Sequence, residues 1–147
     1  MDAIRDLCRR HRVASLYAFG SWAAEALEWA RNERDELAQR TSDLDLAVTP
    51  ETDFAFSARE RVRLSTDLER LFNASRVDLV MLWEADAFLA VDVIRGELLY
   101  CADPDEQARD ELYILGRAAD AATLRRKSLI DIRGNLLDAG DDTRPHR

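Results

Sequence analysis

Thr41-Ser42-Asp43-Leu44-Asp45-Leu46-Ala47-Val48, followed by Thr49-Pro50, is the stretch that decides how this chain reads. Polar and apolar residues alternate from Asp43 to Leu46, and the run turns wholly apolar at Ala47-Val48. That is the pattern of a strand, and Pro50 closes it. Side chains two apart on a strand share a face, so Asp43 and Asp45 point the same way. Upstream, the short apolar run Val13 to Phe19 stops at Gly20-Ser21, a strand ending in a tight turn. Downstream, Arg76 to Trp83 reads as a third strand, and Asp78 interrupts its apolar stretch Val77-Asp78-Leu79-Val80-Met81-Leu82.

Helical patterns separate these strands. Ile4, Leu7, Cys8 and His11 recur at helical spacing, with the basic run Arg9-Arg10-His11-Arg12 where it complements the helix dipole. Residues 22–40 are rich in helix-forming Ala, Glu, Arg and Leu. Ser57 and Glu60 form a capping box, and Leu64, Leu68, Leu71 and Phe72 make one face of the helix behind it. Residues 84–95 form a helix stopped by Gly96, and Glu97 to Cys101 a fourth short strand. Asp103-Pro104, a cap followed by proline at the first helical position, opens a helical tail expected to divide at Gly116 and Gly134. Leu112, Leu115, Leu129, Ile132 and Leu136 in that tail are expected to cover the sheet or pack on another subunit.

Alternation of helix and strand predicts an α/β domain, a small mixed sheet flanked by helices. One domain is expected over 1–147, with a core over 1–101 and a helical tail over 104–140.

The chemistry follows from the aspartates. A charge inside an apolar strand is expensive unless it is paired or binds a metal. If the second and third strands are neighbours, Asp43, Asp45 and Asp78 converge. Their mutual repulsion then calls for a divalent cation. Magnesium takes hard oxygen ligands, commonly one or two carboxylates plus substrate phosphates. Such an arrangement suits phosphoryl-type transfer. Gly20 allows close approach to the backbone, and the helix start with the Ser21 hydroxyl offers donors to a phosphate. Singly, each feature has an ordinary counterpart: a turn, a solvated strand edge, an edge-strand guard. The ordered combination is what points to nucleotide chemistry.

Bulk properties narrow the field further. The chain has 147 residues, 47% hydrophobic and 34% charged, with a formal net charge of -8. Direct nucleic-acid binding needs a basic face and is not expected. Cys8 and Cys101 are too few and too far apart for a disulfide framework or a zinc site. No apolar run approaches a membrane span, and Met1-Asp2-Ala3-Ile4-Arg5-Asp6 does not read as a signal peptide, so the expected compartment is the cytoplasm.

Leu16-Tyr17-Ala18-Phe19-Gly20-Ser21, then Ser42-Asp43-Leu44-Asp45, then Val77-Asp78-Leu79-Val80, resembles the DNA polymerase beta-like nucleotidyltransferase superfamily. Within it, the small size and the Gly96-Glu97-Leu98-Leu99-Tyr100 stretch resemble the minimal nucleotidyltransferase (MNT) antitoxins. The resemblance implies a polymerase beta-like fold and a magnesium-dependent enzyme using ATP. It implies transfer of AMP to a tyrosine of a partner HEPN-domain ribonuclease toxin, in a homo- or hetero-oligomer. It implies that Asp43 and Asp45 bind Mg2+ and the triphosphate. Asp78 completes the metal site and helps deprotonate the acceptor. Gly20 and Ser21, with Ser42 beside them, hold the phosphates.

Two features depart from the pattern. Trp22-Ala23-Ala24-Glu25 stands where many relatives carry arginine and another glycine, leaving Arg31, Arg34 or Arg40 as substitutes or as ordinary solvated charges. The spacer between Ser21 and Ser42 is long. A straight helix over it would carry the chain about 27 Å away, at ~1.5 Å per residue, so the spacer is expected to fold back near Asn32. It is either a contact for the acceptor or a surface insertion. Two other functions share the signature: transfer to a small molecule such as an aminoglycoside, and a degenerate enzyme that neutralises its partner by binding alone.

Overall fold

The computed structural model describes the backbone of residues 2–31 and 43–142, and side chains as far as residue 130. The first helix, α1 (Asp2–Arg10), buries Ile4, Leu7 and Cys8, three positions on one helical face. It opens on Asp2 and closes on Arg9 and Arg10, each of the sign that suits its end of the dipole. Among the described residues, four strands follow along the chain: β1 (Val13–Phe19), β2 (Leu44–Pro50), β3 (Val77–Met81) and β4 (Glu97–Cys101). They form one mixed sheet in the order β3-β2-β1-β4. Strand β1 is antiparallel to both its neighbours, whereas β2 and β3 are parallel.

A parallel pair needs a crossover, and α3 (Ala58–Phe72) supplies it. Ser57 caps this helix by accepting a hydrogen bond from the Glu60 amide at 3.1 Å. Asn73 ends it in the left-handed conformation, at φ 51°. The remaining helices are α2 (Ala23–Ala30), α4 (Ala87–Ile94) and α5 (Pro104–Asp142).

The central strands β1 and β2 are covered on both faces, which is why they read as nearly continuous apolar runs. On one face Leu16, Ala18, Leu44, Leu46 and Val48 pack with Ile4 and Leu7 of α1, Ala26 of α2 and Leu64, Leu68 and Phe72 of α3. On the other, Tyr17 and Ala47 pack with Ala90, Val91 and Val93 of α4 and Ile114 of α5. Trp22 is buried, and Trp29 stacks near Phe72 at 4.7 Å between ring centroids, so both tryptophans serve packing.

Several boundaries differ from the expectation. The third strand stops at Met81 and gives way to a 3-10 turn over Leu82–Glu84. Asp86 then caps α4, accepting hydrogen bonds from the Phe88 and Leu89 amides, so that helix starts later. Of the helix expected over 22–40, α2 accounts for Ala23–Ala30; the fold-back near Asn32 lies outside the described residues.

The tail does not divide. Helix α5 runs unbroken from Pro104 to Asp142, through both Gly116 and Gly134. A glycine inside a helix costs only about 1 kcal/mol against alanine and keeps its amide donor. Nor do Leu112, Leu115 and Leu129 cover the sheet: they are exposed, and the neighbouring Ile114 is the residue that is buried. The side chains of Ile132 and Leu136 lie outside the described residues. Among the described residues, no helix is long and apolar enough to cross a membrane.

Candidate active site

The sheet brings three chemically distinct features to one end, where β1 finishes and β2 and β3 begin. Phe19 at the close of β1 pairs with Asp45, and Asp45 pairs in turn with Asp78 on the parallel neighbour. Paired residues share a face, so Asp45 and Asp78 stand side by side on the face that also carries Tyr17 and Ala47. Asp43 sits one residue before β2. Its Oδ2 lies 3.5 Å from Nε of Arg76, the residue just before β3. The Leu44 amide donates to the Arg76 carbonyl at 3.1 Å, which ties the two strand starts together.

Gly20 completes the corner. Its φ of +75° belongs to the left-handed region, and a Cβ there would stand 2.5 Å from Asp45 Oδ2. The chain thus turns directly over the Asp45 carboxylate. Ser21 follows in a 3-10 turn, Gly20–Trp22, and is exposed. From the other side Gly96 closes on β1: a Cβ there would meet the Ala18 carbonyl oxygen at 2.3 Å. Only glycine permits that approach of the α4–β4 turn to the end of β1.

Electrostatics follow the geometry. Burial raises the Asp45 carboxyl above its ordinary range, and the nearby charges of Asp78 and Asp43 raise it further. The trio is aligned rather than closed: among the described residues, no three carboxylate, thiol or imidazole groups form a ready-made metal cluster. The donor set still fits magnesium, which needs only one or two carboxylates when phosphate oxygens complete its shell.

Asp78 sits in a different environment from the one its sequence neighbours imply. The sequence puts it inside an apolar strand, where a charge must be compensated. It is exposed, because β3 is an edge strand on which Val77 alone is buried. Register, not burial, puts it beside Asp45. Ser42, Arg34 and Arg40 lie outside the described residues, and Arg31 is an exposed residue at the end of α2. The sequence alone does not mark Arg76 as a site residue. Its signal was its parity with Asp78, two residues on, and that signal becomes legible only once β2 and β3 are known to pair. The groove along the other end of β3, about 450 Å³ and lined by Arg61, Leu79, Met81, Glu84 and Leu89, contains none of the three aspartates.

The family model described as Polymerase beta, Nucleotidyltransferase matches residues 2–105. No curated protein matches by sequence. Solved structures do. A MntA–HpeT toxin–antitoxin mutant superposes with a TM-score of 0.65 at 19% identity, covering 90% of this chain and 97% of that one. A toxin–antitoxin with AMP-PNP gives 0.62 at 19% identity, with the same coverage of 90% and 97%. The complex of a tri-AMPylated Shewanella oneidensis HEPN toxin with its MNT antitoxin gives 0.56 at 21%, covering 92% and 94%. At these identities the likeness is one of fold.

Proposed function

The chain belongs to the polymerase beta nucleotidyltransferase family, and on that premise we propose that it transfers AMP from ATP to a tyrosine of a partner HEPN ribonuclease toxin and thereby neutralises it. The observation that carries the reading is the register Phe19–Asp45–Asp78, with Gly20 turned over Asp45. The choice of acceptor is supported by structural neighbours that include an AMPylated HEPN toxin bound to an MNT antitoxin. The choice of nucleotide is supported by the neighbour that holds AMP-PNP.

In this reading the residues divide the work as follows. The backbone at Gly20 and the Ser21 hydroxyl, with Ser42, hold the β- and γ-phosphates. Asp78, exposed at the sheet edge, accepts the proton of the incoming tyrosine hydroxyl. The tyrosine oxygen bonds to the α-phosphorus, the bond from that phosphorus to the bridging oxygen breaks, and pyrophosphate leaves. Magnesium held by Asp43, Asp45 and Asp78 would supply the positive charge that stabilises the leaving oxygens. Exposure of Asp78 suits a macromolecular acceptor, which must approach from outside.

A second reading, neutralisation by binding alone, is favoured by Trp22-Ala23-Ala24-Glu25 in the place of a basic phosphate contact. One experiment separates the two. The chain is co-expressed with the protein encoded beside it, and the partner's intact mass is measured with wild type and with Asp43→Asn/Asp45→Asn. Additions of AMP mass that vanish in the variant support transfer. An unmodified but neutralised partner supports binding alone. Transfer to an aminoglycoside with the partner untouched would sink both.

A further inference from the structure

We propose that Arg76 is the cation that receives the triphosphate, standing in for the basic residue missing after Gly20-Ser21; this rests on the nucleotidyl-transfer reading above. Arg76 immediately precedes β3, and its carbonyl is held by the Leu44 amide at 3.1 Å, so its backbone is anchored to the start of the aspartate strand. Its guanidinium reaches Asp43, 3.5 Å away, at the open end of the sheet.

The ion pair is not there for stability. Its side chains are 75% and 41% exposed, and exposed pairs contribute little to stability. The guanidinium is therefore inexpensive to redirect. What it faces is a strongly negative site: Asp43 in direct contact, and Asp45 paired in register with Asp78. A triphosphate adds about four further negative charges. Arginine matches phosphate oxygens with a planar fork of donors, which a single ammonium does not. Strand β3 is an edge strand, so among the described residues its outer side is not occupied by another strand of the sheet. When Asp43 turns to the metal and triphosphate, Arg76 loses its partner at the place where phosphate oxygens arrive.

The test is calorimetric titration of the full chain with the magnesium complex of a non-hydrolysable ATP analogue, and separately with AMP. Wild type, Arg76→Ala and Arg76→Lys are compared, with thermal melts as the folding control. The expected result is analogue binding weakened about tenfold or more in Arg76→Ala, roughly the value of one charge-assisted hydrogen bond. AMP binding should change by less than about twofold, and Arg76→Lys should fall between. In steady state the loss should appear in the KM for ATP rather than in kcat. Equal analogue affinity in Arg76→Ala and wild type overturns the proposal while leaving nucleotidyl transfer standing. A kcat loss with unchanged analogue affinity overturns it too, because Arg76 would then serve the acceptor. Wild type that binds no nucleotide overturns both.

Discussion

Gly20 and Asp45 meet where β1 ends and β2 begins, so closely that a methyl group on Gly20 would stand 2.5 Å from Asp45 Oδ2. The glycine also holds φ +75°. Alanine at this position therefore has two separable effects. The backbone strain costs about 1–2 kcal/mol, roughly 3–8 °C in Tm for a domain of this size. The carboxylate must swing aside, which moves it from its place beside Asp78 while the strand pairing stays. Gly20→Ala is expected to lower Tm by that amount and nucleotide transfer by more than about tenfold. An unchanged melt with unchanged transfer would show that the corner is not built as described.

Asp45 carries a cost that function explains. Burial, then Asp78 and Asp43, raises its carboxyl above the ordinary value. A carboxyl raised in the folded state loses its proton later than in the unfolded chain. Stability is therefore greatest at low pH and falls as pH rises from the unfolded value of about 3.9 through the folded one. Asp45→Asn removes the ionisation. In buffer without divalent cations it is expected to raise Tm at pH 7, with the gain shrinking towards pH 3.5, while transfer falls by on the order of 10²–10³-fold. Melting curves of both proteins across this pH range check the sign. A variant less stable than wild type at pH 7 would mean the carboxylate is better compensated than its neighbours imply.

Asp78 should behave differently, because it is exposed on the edge strand β3. Substitution at an exposed site with no buried partner usually shifts stability by no more than about 0.5 kcal/mol. Asp78→Asn is expected to melt within about 2 °C of wild type, yet to lose transfer by about 100-fold or more. It also removes one of the charges that raise Asp45. The paired measurement is a melt and a single-turnover transfer assay. Retained transfer would dismiss Asp78 as the acceptor's proton partner and leave it a strand-edge charge.

How far the sequence carried these conclusions depends on which physical signal each residue gives. The apolar run of β1 and its stop at Gly20 were legible because a central strand buries both faces. The alignment of Asp45 and Asp78 was legible conditionally, through the period of two on a strand and the assumption that β2 and β3 pair. Strand order itself is a long-range property, so the exposure of Asp78 and the pairing of Arg76 with Asp43 were not legible. The tail shows a third kind of limit. Its apolar positions mark a helix, but Leu112, Ile114 and Leu115 are equally apolar, and only packing decides that Ile114 faces the sheet. Gly116 reads as a breaker, yet a cost of about 1 kcal/mol does not stop a helix of this length.

Ser15 on β1 and Thr49 on β2 are paired residues, both buried, with their hydroxyls 2.6 Å apart. One hydroxyl donates and the other accepts, beneath the start of α5. Removing one hydroxyl strands its partner, at roughly 1–3 kcal/mol, whereas removing both leaves no orphan. The adjoining crevice, lined by Gln107 and Asp110 among others, measures about 10 Å³, at the lower limit for admitting one water. Rescue by solvent is therefore restricted. Ser15→Ala and Thr49→Val are each expected to destabilise by about that amount, and the double variant by clearly less than their sum, with a coupling of at least about 0.5 kcal/mol. Urea unfolding of the four proteins measures it. Strict additivity would show that each hydroxyl finds another partner and that the pair is not a closed unit.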